Sequence, residues 1–256
     1  MTENRHAFFD SMIMFKRCGL ISIRKVDALI TAIIIPAMMM LLFVFVFGGA
    51  INVGDYDFVS FIVPGIILQC VGQCASFTSM SVNEDLTKGV FDRFRSMPIA
   101  KSAVLIGHVL ASVVRNMLST TVVIVIAMLI GFRPVASPLA WFAIVGMLLL
   151  YMLAITWISV LFGIIAQSPE SAGGLAIFAT ILPYFSSGFV SVDTIAPVLQ
   201  GFARNQPMTK VIDTVRALFL GMPVGDSWIS ATVWCVGIIV CFQVASVWLY
   251  SRKISK

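Results

Sequence analysis

Gln69, Gln73 and Ser76 recur at helical spacing inside an otherwise apolar run, with Asn83 at its end. Amides and a hydroxyl at that spacing share one helical face. Such a face either lines a path for a solute or holds neighbouring helices by hydrogen bonds, and the residues alone leave both open. Arg115 is the one basic side chain well inside another apolar run. It either snorkels or pairs internally, or it meets a substrate directly. Other chemistry is sparse. No Gly-Lys dipeptide occurs, which excludes a phosphate-binding loop of the G-x-x-x-x-G-K-[ST] kind, and no His-Glu-x-x-His is present. The two histidines, His6 and His108, are too few for a His-rich metal site. An intramembrane serine protease would have only His108 as its base, at a rim. The five cysteines show no Cys-x-x-Cys spacing and read as small apolar residues. Asp27 sits at a rim and the other acids fall in loops, so the carboxylates of an ion-driven carrier are scarce. The chain reads as no enzyme, with no metal and no cofactor of its own. Uphill movement of a solute would draw its energy from another chain.

The elements that position these residues follow from composition. Of 256 residues, 59% are hydrophobic and 11% charged, with a mean hydropathy of +1.01. A soluble domain carries roughly 25% charged residues. Lipid must therefore solvate most of this chain, which excludes a cytosolic enzyme, a secreted disulfide scaffold and a disordered linker. Six stretches approach the ~20 apolar residues of a bilayer-crossing helix: residues 28–47, 58–82, 103–130, 139–166, 171–190 and 228–250. Gly48-Gly49, Gly131 with Pro134 and Pro138, Ser168-Pro169, and Gly221 to Gly225 punctuate them. Ser168-Pro169-Glu170 has the pattern of an N-cap, a proline at the first helical position and an acid in the first turn. The first apolar run is too long for a secretory signal and is expected to stay as an anchor. Basic residues cluster in the N-terminal segment, in the connection after span two and in the C-terminal tail: twelve, against Arg133, Arg204, Lys210 and Arg216 on the other side. That bias puts both termini in the cytoplasm.

Three further segments are amphipathic. Residues 3–24 place Phe8, Met12 and Phe15 on one face among basic residues and read as an interfacial helix on the cytoplasmic leaflet. Residues 84–98 combine Phe91 and Phe94 with Arg93 and Arg95, turn at Gly89 and stop at Pro98. A short helix of this composition either docks in another protein's groove or merely connects two spans. Residues 194–221 carry Lys210, Asp213 and Arg216 at i, i+3, i+6 beside an apolar face. They are too charged to span and read as a re-entrant or interfacial helix pair at the outer end.

This pattern resembles the permease subunit of type-2 ABC exporters, in particular the daunorubicin/doxorubicin-resistance-type permeases of bacteria. Two motifs carry the likeness. One is residues 85–99 (DLTKGVFDRFRSMPI), continuing to VLIG at 104–107. The other is PYFSSGFV at 183–190 followed by QPMTKVIDTVRAL at 206–218. One departure is Gln206, where the family usually has Asn before the proline. The resemblance implies a single all-α transmembrane domain over residues 1–256. It would have an interfacial helix, six spans, a coupling helix after span two and an outer re-entrant hairpin before span six. It implies ATPase coupling through Asp85, Gly89, Phe91, Arg93, Phe94, Arg95 and Pro98, and an outer hairpin carried by Pro207, Thr209, Asp213 and Arg216. Gln69, Gln73, Ser76 and Arg115 are the candidate substrate path. It further implies two permease chains with two ABC ATPase chains that bind ATP and Mg, in a bacterial cytoplasmic membrane, with no nucleic acid. Alternating access would export a hydrophobic or amphipathic cargo: drug-like, lipid or peptide. A non-transporting membrane scaffold and an ion-coupled carrier are the other readings. A neighbouring reading frame with a phosphate-binding loop would favour the exporter.

Overall fold

The computed structural model describes residues 12–20, 26–49, 57–88 and 101–254. Among them there are helices and turns but no strand. Helix α1 covers 12–20. Helix α2, Val26–Leu42, passes through Pro36 and ends in a π turn, Phe43–Phe47. Helices α3 (Phe58–Thr87), α4 (Lys101–Ile130) and α5 (Pro138–Ile165) follow. Then come α6 (Pro169–Ala176), α7 (Phe178–Ile181) and a 3₁₀ turn, Leu182–Phe185. After a second 3₁₀ turn, Val192–Thr194, come α8 (Pro197–Asn205), α9 (Pro207–Phe219) and α10 (Ser227–Ile254).

Local chemistry sets several of these boundaries. Asp57 accepts a hydrogen bond from Ser60 N at the start of α3. Ser137 caps α5 ahead of Pro138. Ser168 and Ser171 form a reciprocal capping box around Pro169. Gly221, at φ 66°, closes α9 by letting Met222 N–H return to Ala217 O at 2.8 Å.

Among the described residues, five helices are long and apolar enough to cross a bilayer: α2 with its π turn, α3, α4, α5 and α10. On α10, Trp228 and Trp248 are both about half exposed. Twenty residues separate them, ~30 Å at 1.5 Å per residue, the thickness of a bilayer core. Val233, Val236, Val240 and Val244 face outward between them, as a lipid-facing helix requires.

The expected fifth span, 171–190, is not one long helix. Ile177 N–H is shared between Gly173 O and Gly174 O, and Pro183 has no N–H to continue the ladder. The chain from Pro169 to Phe185 is therefore a series of short turns. It nevertheless tracks α3 antiparallel: Ala172 lies beside Ser79, Ala179 beside Gly72 and Gly188 beside Gly65. Those contacts cover ~21 Å of α3.

Helix α3 is the centre, touching α2, α4, α5, α6, α7 and α9. It also runs further than expected. Glu84–Thr87 form its last turn, closed by Lys88 N–H to Glu84 O, and not the start of a separate helix. The rest of the expected coupling helix, including Gly89, Phe91, Arg93, Phe94, Arg95 and Pro98, lies outside the described residues. So do 3–11 and 21–24 of the expected interfacial helix.

Candidate functional site

At one end of the bundle α1, the last turn of α3 and the first turns of α4 meet on a carboxylate. Arg17 Nη1 donates to Asp85 Oδ2 at 2.7 Å and Arg17 Nη2 to Oδ1 at 3.0 Å, a bidentate pair. His108 Nε2 lies 3.1 Å from Oδ2. Asp85, His108 and Cys18 are all buried. Helix α1 seats closely here: a Cβ on Gly107 would fall 2.6 Å from Met14 Cβ. Asp85, expected to face a partner, is thus engaged within the chain. Sequence reading also missed Arg17 and His108 as its partners. The available signal was an acid and a histidine flanking one short connection. Residues 89–100 leave from directly beside this cluster.

The polar face of α3 meets the chain that follows α5. Gln69 Nε2 donates to Tyr184 Oη at 2.6 Å, and Thr180 Oγ1 donates to Gln73 Oε1 at 3.4 Å. Ser79 Oγ donates to Ala172 O at 2.9 Å. Asn83 Nδ2 closes the seam on Gly163 O and Ala166 O. Contact is close because α3 has no side chain at two points: a Cβ on Gly65 would lie 2.6 Å from Gly188 O, and one on Gly72 2.5 Å from Ala179 O. Towards the other end of the seam Tyr184 stacks on Phe189 at 4.6 Å, and Phe189 packs on Phe43 of the π turn at 4.9 Å. Two acceptors in this seam, Gln69 Oε1 and Ser76 Oγ, are buried without a partner among the described residues.

Arg115 does not join the glutamines. Its Nη2 donates to Thr78 Oγ1 at 2.6 Å and to Cys74 O at 3.2 Å, on a different face of α3. Thr78, Ser112 and Thr156 continue the network through contacts of 2.8 and 3.3 Å between α3, α4 and α5. Hydrogen bonding inside the bundle is what lets a nearly buried guanidinium stand there.

At the opposite end, α9 packs Met208, Val211, Ile212, Val215 and Phe219 inward. The Phe219 ring meets Phe132 at 5.2 Å and Trp141 at 5.5 Å. Pro207 is the first residue of α9, and Thr209 Oγ1 ties it to α8 at Ala203 O, 2.5 Å. Gln206 donates to Phe185 O. Arg216 gathers three segments: Nε and Nη2 donate to Phe61 O at 3.1 and 3.0 Å, Nη2 also to Ser187 O, and Nη1 to Asp213 Oδ1 at 3.2 Å. The guanidinium also lies 3.9 Å over the Phe61 ring. Asp213 accepts from Ser187 Oγ at 2.6 Å. The expected i, i+3 pair thus forms, while Lys210 takes no part in it.

Among the described residues no cluster of histidine, cysteine and carboxylate is arranged for a metal. Many of the polar groups described above bond across to a neighbouring helix or segment. Comparison with known proteins agrees with a membrane permease. The chain is 28% identical over 224 residues to the daunorubicin resistance ABC transporter permease protein DrrB1 of Streptomyces coeruleorubidus, covering 87% of this chain and 76% of that one. It is 26% identical over 226 residues to the probable doxorubicin resistance ABC transporter permease protein DrrC of Mycobacterium tuberculosis, covering 85% and 80%. Residues 11–220 match the family profile described as ABC-2 type transporter. The chain is a multi-pass membrane protein and belongs to the ABC-2 type transporter family.

Proposed function

We propose that this protein is the membrane-spanning half of an ATP-driven exporter, pairing with a second permease chain and two ABC ATPase chains. The 169–190 stretch serves as a sixth crossing. Both termini then lie in the cytoplasm and the α8–α9 hairpin faces outward. The cargo is hydrophobic or amphipathic: drug-like, which the names of the two relatives favour, lipid or peptide. It moves beside the α3 face that bears Gln69, Gln73 and Ser76, while Arg115 braces that helix from behind. ATP and Mg belong to the partner ATPase.

The coupling element is the connection 89–100 with Phe91, Arg93, Phe94, Arg95 and Pro98. Asp85 contributes from inside by fixing α1 to the roots of that connection through Arg17 and His108. ATPase closure then moves α1, α3 and α4 as one body. The observation that carries this reading is the spending of intramembrane polar groups on helix-to-helix bonds in a family-matched bundle, where energy must come from outside the chain. The test is co-purification with the ATPase encoded beside it, then ATP-dependent uptake of a compound panel into inverted vesicles. Failure of the ATPase to co-purify, with no ATP-dependent uptake, overturns the proposal.

A further inference from the structure

A cavity of about 230 Å³ lies between α5, the 169–185 segment, the start of α9 and α10. Tyr151, Ile155, Phe162, Phe178, Ile238 and Phe242 form its principal walls, and no residue of α3 reaches it. It is therefore separate from the polar seam. Its surface is almost wholly carbon. The Ser159 hydroxyl at its edge is spent on Ile155 O at 2.8 Å. Phe178 lines it and is also 67% exposed, so the cavity opens beside Phe178 onto the outer surface of the chain. Ile177 and Ile181 are exposed on the same segment, as is Val240 on α10. Apolar side chains thus rim that mouth.

Its length and its ends identify the occupant. Tyr151 stands at the middle of α5 and Phe162 near its C-terminal end. Eleven residues at 1.5 Å give ~16 Å, close to half of a ~30 Å bilayer core. Along α5 the slot thus runs from about the midplane to one surface, whereas on α10 its wall stops at Phe242, six residues short of Trp248. At that surface Lys253 Nζ sits 2.8 Å from Ile164 O, and the Arg252 guanidinium lies 4.1 Å over the Trp248 ring. Two basic side chains stand where a headgroup phosphate would lie, which suits an anionic lipid.

We propose that this slot holds one acyl chain of an anionic phospholipid. The chain's terminal methyl lies at Tyr151 and its carbonyl end at Phe162, with Phe242 beside the middle of the chain. Only the identity of the leaflet, cytoplasmic, rests on the orientation given under Proposed function. The test uses the permease in phosphatidylcholine nanodiscs doped with phosphatidylglycerol probes. These carry a diazirine either near the terminal methyl or near the carbonyl of one chain, and adducts are mapped by mass spectrometry. The expected result is methyl-end adducts at Tyr151 and Cys235 and carbonyl-end adducts at Phe162. Each should exceed by several-fold the adducts on the outward-facing Val233 and Val244. Ala154→Phe, which fills the slot, should remove the wall adducts and leave those at Val233 and Val244. Absent wall adducts beside normal surface adducts would mean that a second copy or cargo occupies the slot, and would overturn the proposal. So would a reversed depth order, or equal labelling by matched phosphatidylcholine probes. Depth order in the wild-type chain decides the matter if Ala154→Phe fails to fold. Labelling needs neither ATPase nor transport, so failure of the exporter reading would show separately, in co-purification.

Discussion

Arg216 donates at once to a carbonyl of α3, to a carbonyl after the 169–185 segment and to a carboxylate on its own helix. A lysine could satisfy one of these acceptors but not all three, because its ammonium is a point charge. Removing a nearly buried guanidinium strands Asp213 and two carbonyls, at a cost of about 3 kcal/mol. Arg216→Ala and Asp213→Ala are therefore expected to lower the melting temperature of the detergent-solubilised protein and to reduce vesicle uptake. ATPase pull-down should be unchanged, since the clamp lies at the far end. Wild-type uptake by both variants would remove the hairpin from the mechanism. Asp85 makes the complementary case at the other end. Asp85→Asn keeps the shape but loses the charge that Arg17 and His108 share. It should uncouple ATP hydrolysis from uptake. Exchange of the pair, Arg17→Asp with Asp85→Arg, should recover part of the loss, with a coupling energy above about 1 kcal/mol in the double-mutant cycle. Strict additivity would show that the pair carries no coupling.

At the scale of elements, the decisive contact is α3 against the broken segment that follows α5. Gly72 meets Ala179 O and Gly65 meets Gly188 O with no room for a side chain. Gly72→Leu must push that segment off α3, and overpacking of this kind costs ~1–3 kcal/mol. Uptake and thermal stability should both fall, whereas Gly146→Ala should be silent, because nothing lies within 4 Å of a Cβ there. A stable, active Gly72→Leu would mean that the two elements do not pack so closely. The same contact explains what was legible beforehand. Apolar runs and caps located α2, α3, α4, α5 and α10 to within a few residues, since length and hydropathy are local properties. The Asp213–Arg216 pair was legible from i, i+3 spacing. The break at Ile177 and Pro183 was not, because it depends on α3 supplying Tyr184 and Thr180 with partners at Gln69 and Gln73. Likewise the pairing of Asp85 was not legible, because its partners lie 68 and 23 residues away in sequence.

As the membrane half of the exporter proposed above, the whole molecule must pass a push from one face of the membrane to a path in its middle. Cysteines introduced at Asp55, Arg133 and Lys210 should react with an impermeant reagent in intact cells, and one at Lys88 should be protected. The opposite pattern would invert the topology. Given that topology, the cytoplasmic face offers two connections between spans. The one from α5 to α6, residues 166–168, is too short to dock on anything. The other, between Thr87 and Lys101, holds Phe91 and Phe94 with Arg93 and Arg95, the aromatic and arginine composition that dominates interface hot spots. Its root is pinned to α1 and α4 through Asp85, so displacement of this connection is carried into three helices together. Phe94→Ala removes an apolar anchor and should weaken ATPase association about tenfold or more, the effect of losing roughly 2 kcal/mol at a hot spot. Arg93→Glu should weaken it further, because reversal adds repulsion to the loss of attraction. Both variants should still insert and elute as folded protein, since neither side chain belongs to a span. Pull-down of the ATPase by solubilised variants is the measurement. Full binding and full uptake by both would mean that the ATPase drives the permease through some other surface, and that the Arg17–Asp85–His108 cluster only holds helices together.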